Sequence, residues 1–415
     1  MRYGLIGGKL GHSFSKTLHS QLNNDEYELL ELNADEVETW LEGKDFEGIN
    51  VTIPYKEIAL KHCIADERAA QIGCVNTLVN RGGTIYGYNT DIDGFLYLIK
   101  STGIDIAGKK AVILGNGGTA KTAAFGLREC KAAEIVVLSR NPEKNGPDGI
   151  KVVSYEDTGQ YADARIIVNT TPVGMYPHMD EAPIELAIFE KPECVVDIIY
   201  NPIRTKLMEQ AQKRGIKAVN GLPMLVVQAA EAERIWRQDD CNDKDDAQIK
   251  DIVNRLEKDR ANIVLIGMPG CGKSSVGRAL ADKLGRELVD TDDLFTSAFG
   301  ISPGSCISTE GERAMREKER EIARSIADKM GIIIATGGGL PTDEGSREAL
   351  HHNGITVFID RDTKELATEG RPLSVDVEKL YRERIDIYRQ AADIIVRADA
   401  SIEEVADKII RELSI

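Results

Sequence analysis

The chain has 415 residues, 42% of them hydrophobic and 29% charged, and a net charge of −16. Those values fit a globular protein of about three domains, and the acidity argues against an electrostatic grip on nucleic acid or an anionic membrane, though not against small anions held by a few placed arginines and lysines. No apolar run reaches the ~18 residues of a membrane-spanning helix, the N-terminus has no signal-peptide layout, and the seven cysteines are scattered without a C-x-x-C pair, so the expectation is a reduced, cytoplasmic protein without disulfides or a zinc site.

Residues 1–100 alternate short apolar runs with polar turns. Tyr3–Ile6, Tyr27–Leu32, Gly48–Ile53, Thr77–Asn80 and Thr84–Tyr88 read as strands, with helical stretches at Lys16–Leu22 and Asp35–Glu42 between them. This is an α/β pattern. Residues 101–221 restart with Lys110–Leu114, a continuous apolar run of the kind found in parallel strands buried on both faces. Further strands are predicted at Ile135–Leu138, Ile166–Val168, Cys194–Ile199 and Lys217–Val219. Residues 222–237 are helical again. The acidic run Gln238–Asp246 lacks apolar periodicity and reads as a linker; with the amphipathic stretch Ile249–Leu256, a candidate tether helix, it fills residues 238–260. A new buried strand begins at Asn262–Ile266 and opens a last α/β block, 261–415.

That strand runs into Gly267-Met268-Pro269-Gly270-Cys271-Gly272-Lys273-Ser274. The segment matches G-x-x-x-x-G-K-[ST], with a strand before it and a helix, Ser275–Leu284, after it. Gly267, Gly270 and Gly272 let backbone N–H groups turn inward around phosphate oxygens, and the helix N-terminus adds positive dipole. Lys273 can reach the β- and γ-phosphates, and Ser274 can offer its hydroxyl to Mg²⁺. The bland alternative is a glycine-rich turn with a chance Lys-Ser, which the two correct flanks disfavour. Cys271 reads as a small filler rather than a redox switch.

Four downstream features narrow the P-loop reading. Asp290 and Asp292 stand two apart at a strand end. Gly311-Glu312 is followed by Arg316 and Glu319, which share a helix face. Ile332–Ala335 runs through Thr336 into Gly337-Gly338-Gly339, where a ligand can approach the backbone. Arg371-Pro372-Leu373 lies in a polar loop, and Glu383-Arg384 precedes Tyr388. Each alone reads as a solvated charge pair or a turn. In this order and spacing they resemble shikimate kinase across essentially all of residues 261–415. The resemblance implies that Asp290 sits in the Mg²⁺ shell through water and that Asp292 binds the shikimate hydroxyls and orients or deprotonates the attacking one. It implies that Arg316, held by Glu319, and Arg384 clamp the carboxylate. Gly338 and Gly339 would offer N–H groups to the substrate, and Arg371 would stabilise charge on the transferring phosphoryl group. Two departures stand out. Met315 replaces the usual Phe, and Lys364–Gly370 is shorter than the usual lid and lacks the arginine that often packs on adenine.

In the second block, Lys110–Leu114 leads into Gly115-Asn116-Gly117-Gly118-Thr119-Ala120 and a helix through Leu127. This is a G-x-G-G-x-A dinucleotide-binding turn in strand–helix context. The next strand ends in Ser139-Arg140-Asn141, where an NAD enzyme often carries an acid about 20 residues on. A cation and two neutral hydrogen-bonding groups suit a 2′-phosphate, so NADP(H) is favoured over NAD; the alternative is a plain surface Arg140.

Upstream, His12–Ser15, Asn50–Lys56, Val75–Thr77 and Asn89–Asp91 offer hydroxyls, amides, one lysine and one aspartate, the inventory for a polyol bearing a carboxylate. These segments resemble shikimate dehydrogenase over residues 1–237, as do Asn169–Met175 and Gly221-Leu222-Pro223-Met224 with Gln228. The resemblance implies that Ser13 and Ser15 bind the carboxylate of 3-dehydroshikimate and that Thr52, Asn76 and Gln228 bind ring oxygens. Lys56 and Asp91 would be the catalytic pair, and Gly115, Gly117, Gly118, Ala120, Ser139, Arg140, Asn141 and Gly221 would hold the cofactor. One departure is Lys16, where the family commonly has Pro.

The sequence thus predicts an α/β chain of three domains. Residues 1–100, completed by 222–237, form the substrate domain; 101–221 form a Rossmann-like NADP domain; 261–415, after the linker, form a P-loop kinase with a parallel sheet. The reading is a fusion that reduces 3-dehydroshikimate and phosphorylates the product with MgATP. Its partners are small molecules, not nucleic acid or membrane, and no oligomeric state is assigned. Two alternatives stay open: a quinate/shikimate dehydrogenase working with NAD, and a ligand-sensing regulator with inactive sites.

Overall fold

The structure is a computed structural model that describes residues 2–11, 13–22, 24–143, 146–147, 149–238, 246–366 and 377–415. It divides into two compact units. One holds Met1–Met175, Glu181–Tyr200 and Thr205–Asn254; the other holds Tyr176–Asp180, Asn201–Arg204 and Arg255–Ile415.

The first unit contains two sheets. Strands β1 (Tyr3–Gly7), β2 (Tyr27–Glu31), β3 (Gly48–Val51), β4 (Ile64–Ala65), β5 (Thr77–Arg81) and β6 (Thr84–Tyr88) form one, in the order β2-β1-β3-β5-β6-β4. It is mixed: β5 runs antiparallel to β3 and β6, and the other pairs are parallel. Strands β7 (Lys110–Leu114), β8 (Glu134–Ser139), β9 (Lys151–Ser154), β10 (Ile166–Asn169), β11 (Cys194–Asp197) and β12 (Lys217–Val219) form the other, wholly parallel, in the order β12-β11-β10-β7-β8-β9. Its central strands β10 and β11 are buried at every position. That is why their sequences are unbroken apolar runs rather than alternating ones. Two edge strands, β4 and β9, were not among the predicted elements. β4 has two residues and β9 four, of which only Val153 is buried, so neither is long enough to show a period in the sequence.

The helices Asp91–Ser101 and Leu222–Arg237 pack closely. A β-carbon at Gly94 would lie 2.5 Å from the Met224 carbonyl oxygen, which leaves only glycine at that crossing. The second helix contributes to core clusters against both sheets of this unit. Ala232 and Trp236 join Leu5, Tyr27 and Val79 beneath the first sheet, while Met224 joins Phe95, Ala120 and Val168 beneath the second.

The second unit carries a five-stranded parallel sheet of β13 (Asn262–Ile266), β14 (Leu288–Asp290), β15 (Ile333–Ala335), β16 (Gly354–Asp360) and β17 (Ile394–Arg397), in the order β14-β15-β13-β16-β17. Strand β13 is central and buried throughout. Its C-terminal end therefore delivers the P-loop to the middle of one sheet edge, where ligands of open parallel sheets bind.

Of the acidic run 238–246 only Gln238 and Asp246 are described. From Asp246 a helix runs to Arg260, longer than the stretch 249–256, and it buries Ile249, Ile252, Val253 and Leu256. The division between the units falls inside this helix. Among the described residues no helix is long and apolar enough to cross a membrane, and the six described cysteines are free.

Candidate active sites

In the first unit, a cavity of about 440 Å³ is lined by Ser13, Ser15, Asn50, Thr52, Lys56, Asn76, Asp91, Gly221 and Gln228, together with Thr119 and Tyr200. The seven substrate-domain residues given a role from the sequence, Ser13, Ser15, Thr52, Lys56, Asn76, Asp91 and Gln228, are therefore in one place, although four helices and three connecting segments supply them. Lys56 opens the helix Lys56–Leu60, and Asp91 opens Asp91–Ser101. Their side chains meet there, with Lys56 Nζ donating to Asp91 Oδ2 at 2.5 Å. Burial pulls the Lys56 ammonium toward deprotonation, but the charge and hydrogen bond of Asp91 outweigh it, so its pKa lies above the ordinary lysine value.

The other polar groups are pre-oriented. Asn76 Oδ1 accepts from the Thr90 N–H at 2.7 Å, and Ser13 Oγ accepts from the Ser15 N–H at 3.2 Å. Gln228 Nε2 donates to the Leu225 carbonyl at 2.9 Å. His12 lies outside the described residues. Lys16 is exposed, so its departure from the family's proline leaves both serine hydroxyls at the cavity.

Sequence reasoning placed Asn50 in a polyol-binding segment and Thr119 in the dinucleotide turn without an individual role for either, and did not single out Tyr200. Asn50 has a buried support. Tyr27 donates to its Oδ1 at 2.8 Å, His19 stacks on Tyr27 at 3.8 Å, and His19 Nδ1 meets Glu233 Oε1 at 2.6 Å. Burial lowers the His19 pKa, with Glu233 opposing it. Tyr200 follows strand β11 by three residues, and a search of strand ends would have found it.

The dinucleotide turn follows β7. Gly115 has φ +95°, and a β-carbon there would stand 2.7 Å from Thr171 Cγ2, so both conformation and space require glycine. At Gly117 and Gly118 an added β-carbon would meet nothing within 4 Å. That open backbone, at the start of the helix Gly118–Glu129, fits a pyrophosphate. Ala120 is buried beneath it. Ser139 ends β8 and caps the turn by accepting from the Asn141 N–H at 3.0 Å. Arg140 is exposed and has no ion pair among the described residues, so its guanidinium is available to a 2′-phosphate. Gly221 lines the substrate cavity; a β-carbon there would fall 1.9 Å from the Ile198 carbonyl.

In the second unit a cavity of about 850 Å³ gathers the P-loop, Asp290, Asp292, Met315, Arg316, Glu319, Gly337, Gly338, Gly339 and Arg384. Gly267, Gly270 and Gly272 have φ values of +148°, +86° and +99°, a curl that turns successive N–H groups inward. The helix begins at Lys273 itself, two residues earlier than predicted. Lys273 Nζ donates to the carbonyls of Gly267 at 2.9 Å and Met268 at 3.0 Å, so its ammonium lies across the loop. Ser274 Oγ donates to Asp290 Oδ2 at 2.6 Å. One hydroxyl and one carboxylate would suit Mg²⁺, a hard cation that takes oxygen ligands, and these two residues would hold it.

Arg316 Nη1 donates to Glu319 at 2.5 Å and Nη2 to Glu312 at 3.1 Å. Burial acts to lower the Arg316 pKa, yet Glu319 and Glu312 leave it raised. Burial also raises Glu319, with Arg316 opposing. Arg384 Nη1 donates to the Gly338 carbonyl at 3.0 Å. Arg371 and most of the short lid, residues 367–370, lie outside the described residues. Lys364 and Glu365 belong to a single 3₁₀ turn.

Comparison with known proteins bears on both parts of the chain. Residues 5–78 match the shikimate dehydrogenase substrate binding domain, and residues 269–414 match shikimate kinase. The NADP(+) shikimate dehydrogenase of Clostridium perfringens is 37% identical over 247 residues, covering 56% of this chain and 91% of the relative; that of Caldicellulosiruptor bescii is 37% identical over 252 residues, covering 56% and 88%. Among solved structures, a chorismate mutase/shikimate 5-dehydrogenase fusion protein from Clostridium acetobutylicum is 37% identical with a TM-score of 0.56, covering 62% of this chain and 96% of its own. A shikimate 5-dehydrogenase from Thermus thermophilus in complex with NADP(H) and shikimate is 31% identical with a TM-score of 0.53, covering 61% and 99%. The cofactors that accompany these two families are NADP(H) and, for the kinase, ATP with Mg²⁺. The chain belongs to the NADP-dependent shikimate dehydrogenase family, carries a shikimate kinase domain after it, and is a bifunctional enzyme of the shikimate pathway.

Proposed function

We propose that the first site reduces 3-dehydroshikimate to shikimate with NADPH and that the second phosphorylates shikimate to shikimate 3-phosphate with MgATP. The observation that carries the first half is the Lys56–Asp91 pair at 2.5 Å, opening on a cavity of hydroxyls and amides. The bound NADPH supplies the hydride; the protein must orient two ligands and manage one proton. Lys56, held protonated by Asp91, donates that proton to the developing alkoxide and recovers one from solvent. Ser13 and Ser15 take the carboxylate, and Thr52, Asn76 and Gln228 take the ring oxygens. Arg140 takes the 2′-phosphate, a charge-assisted contact.

In the kinase, Arg316 and Arg384 hold the shikimate carboxylate, and Asp292 orients or deprotonates the attacking hydroxyl. Ser274 and Asp290 hold the metal; Lys273 and Arg371 meet charge on the transferring phosphoryl group. The two halves are supported by separate residue sets, yet the product of one is the substrate of the other.

The test is the purified full chain with 3-dehydroshikimate, NADPH and MgATP, following NADPH loss and ADP formation separately. NADPH should be consumed without ATP, and ADP should appear only once shikimate has been formed or added. ADP formation indifferent to shikimate would overturn the kinase assignment, and NADPH left intact would overturn the reductase.

A further inference from the structure

Tyr388 lies one helical turn beyond Arg384 on the helix Val377–Ala391. It is fully buried, tilted against Phe358 of β16 with ring centroids 5.4 Å apart, and it does not line the kinase cavity. Its hydroxyl donates to the Gly338 carbonyl at 2.5 Å, and Arg384 Nη1 donates to the same oxygen at 3.0 Å. A carbonyl oxygen has two lone pairs, so both are used.

The peptide linking Gly338 to Gly339 is planar and trans, so its C=O and N–H point in opposite directions. Pinning the Gly338 carbonyl therefore aims the Gly339 N–H. The rest of the turn is internally bonded: the Gly337 N–H donates to Thr291 Oγ1 at 2.8 Å, and the Gly337 and Gly339 carbonyls accept from Leu340 and Thr342. Among the described residues the Gly339 N–H has no acceptor.

We propose that the Tyr388 hydroxyl is a positioning group for the acceptor site, aiming the Gly339 N–H at an oxygen of the bound carboxylate-bearing polyol. The proposal rests on the reading of Gly339 as a substrate-binding backbone. The two donors on one carbonyl give Tyr388 a distinct part. Arg384 lines the cavity and is drawn toward the substrate carboxylate, which competes with its bond to Gly338. Tyr388 faces no ligand, so it holds the peptide in the same orientation whether or not Arg384 is engaged. The rival account is a core tyrosine whose buried hydroxyl merely needs an acceptor.

Tyr388→Phe separates the two, because it keeps the ring against Phe358 and removes only the hydroxyl. One lost buried hydrogen bond corresponds to about a 2- to 13-fold effect. That effect is expected in the Michaelis constant for shikimate, with turnover and the Michaelis constant for ATP close to wild type, the thermal midpoint lowered by no more than about 2–4 °C, and NADPH-dependent reduction by the same chain unaltered. An unchanged shikimate constant, an equal rise for both kinase substrates, or loss of folding would each overturn the proposal, the last by showing a structural role. Failure of the underlying reading looks different: the wild-type chain would then not phosphorylate shikimate at all, and the proposal would fall with it.

Discussion

The guanidinium of Arg316 fills the space that a β-carbon at Gly339 would need, with Nη1 only 2.2 Å from the ideal position. The two glycines before it are constrained in the same way by different partners. A β-carbon at Gly337 would fall 2.3 Å from Asp292 Oδ1, and one at Gly338 would fall 2.8 Å from the Pro269 ring of the P-loop. None of the three has a positive φ. They are glycines because three pieces of the site close onto one turn, not because the backbone is left-handed there.

Single alanines should therefore separate the two ligands. Gly339→Ala pushes Arg316 off Glu319 and should raise the Michaelis constant for shikimate by about tenfold or more, since overpacking typically costs ~1–3 kcal/mol. Gly338→Ala presses on Pro269 and should act mainly on ATP. Steady-state kinetics with each substrate varied check this; interchanged effects would show that the turn transmits its strain differently.

The Lys56–Asp91 pair gives a pH prediction. The folded pKa of Lys56 is raised, so its contribution to stability is complete below the unfolded lysine value and is lost only as pH rises through the folded one. The proton for reduction is likewise available throughout the neutral range. Asp91→Asn removes the charge that raises the pKa and leaves burial, which lowers it. The alkaline limb of kcat/KM for 3-dehydroshikimate should move to lower pH in Asp91→Asn, and Lys56→Ala should lose about 10²- to 10⁴-fold in turnover. A limb that stays in place in Asp91→Asn would mean that another group sets it.

How far the sequence reaches can be judged at particular residues. The buried parallel strands were legible because burial on both faces leaves an unbroken apolar run, as at Ile166–Val168 and Lys110–Leu114. The P-loop and the dinucleotide turn were legible because phosphate binding fixes glycine spacing. Asn50 carried no such signal as a ligand. Its place depends on Tyr27, His19 and Glu233, the last of them 183 positions further along. Nor could the sequence show why three glycines follow β15, since Asp292, Pro269 and Arg316 meet them only through tertiary packing.

Asp197 ends β11 fully buried. It accepts from Asn169 Nδ2 at 3.0 Å, from the Ile199 N–H at 3.1 Å and from Thr205 Oγ1 at 2.7 Å. Burial pushes its pKa up to about 7 despite these bonds. An acid raised in the fold binds more protons folded than unfolded between about pH 4 and 7, so stability falls as pH rises through that window. Asn at this position keeps an acceptor for Asn169 and Ile199 and offers a donor to Thr205. Asp197→Asn should therefore raise the melting temperature at pH 8 and change it little at pH 5. The reverse order in a thermal scan would show that the carboxylate is ionised at little cost.

In the proposed scheme the kinase residues divide into those that hold the acceptor and those that act on reacting atoms. Arg384 lines the cavity, and its proposed contact with the shikimate carboxylate would be the same in ground and transition states, so Arg384→Ala should mainly raise the Michaelis constant for shikimate. Asp292 is placed beside Gly337 and lines the cavity with Glu319. Its neighbour Asp290 is engaged with Ser274 and with the Asp292 N–H, so it is poorly placed to take over. Asp292→Asn keeps the shape and removes the charge proposed to orient the attacking hydroxyl. It should lower turnover by about 10²-fold or more while leaving the Michaelis constant for ATP near wild type. Lys56→Ala should leave all of these kinase parameters unchanged, since it acts at the reductase site. Near-normal turnover in Asp292→Asn, with turnover lost and shikimate affinity kept in Arg384→Ala, would exchange the two roles and place the chemistry on the arginine side of the cavity.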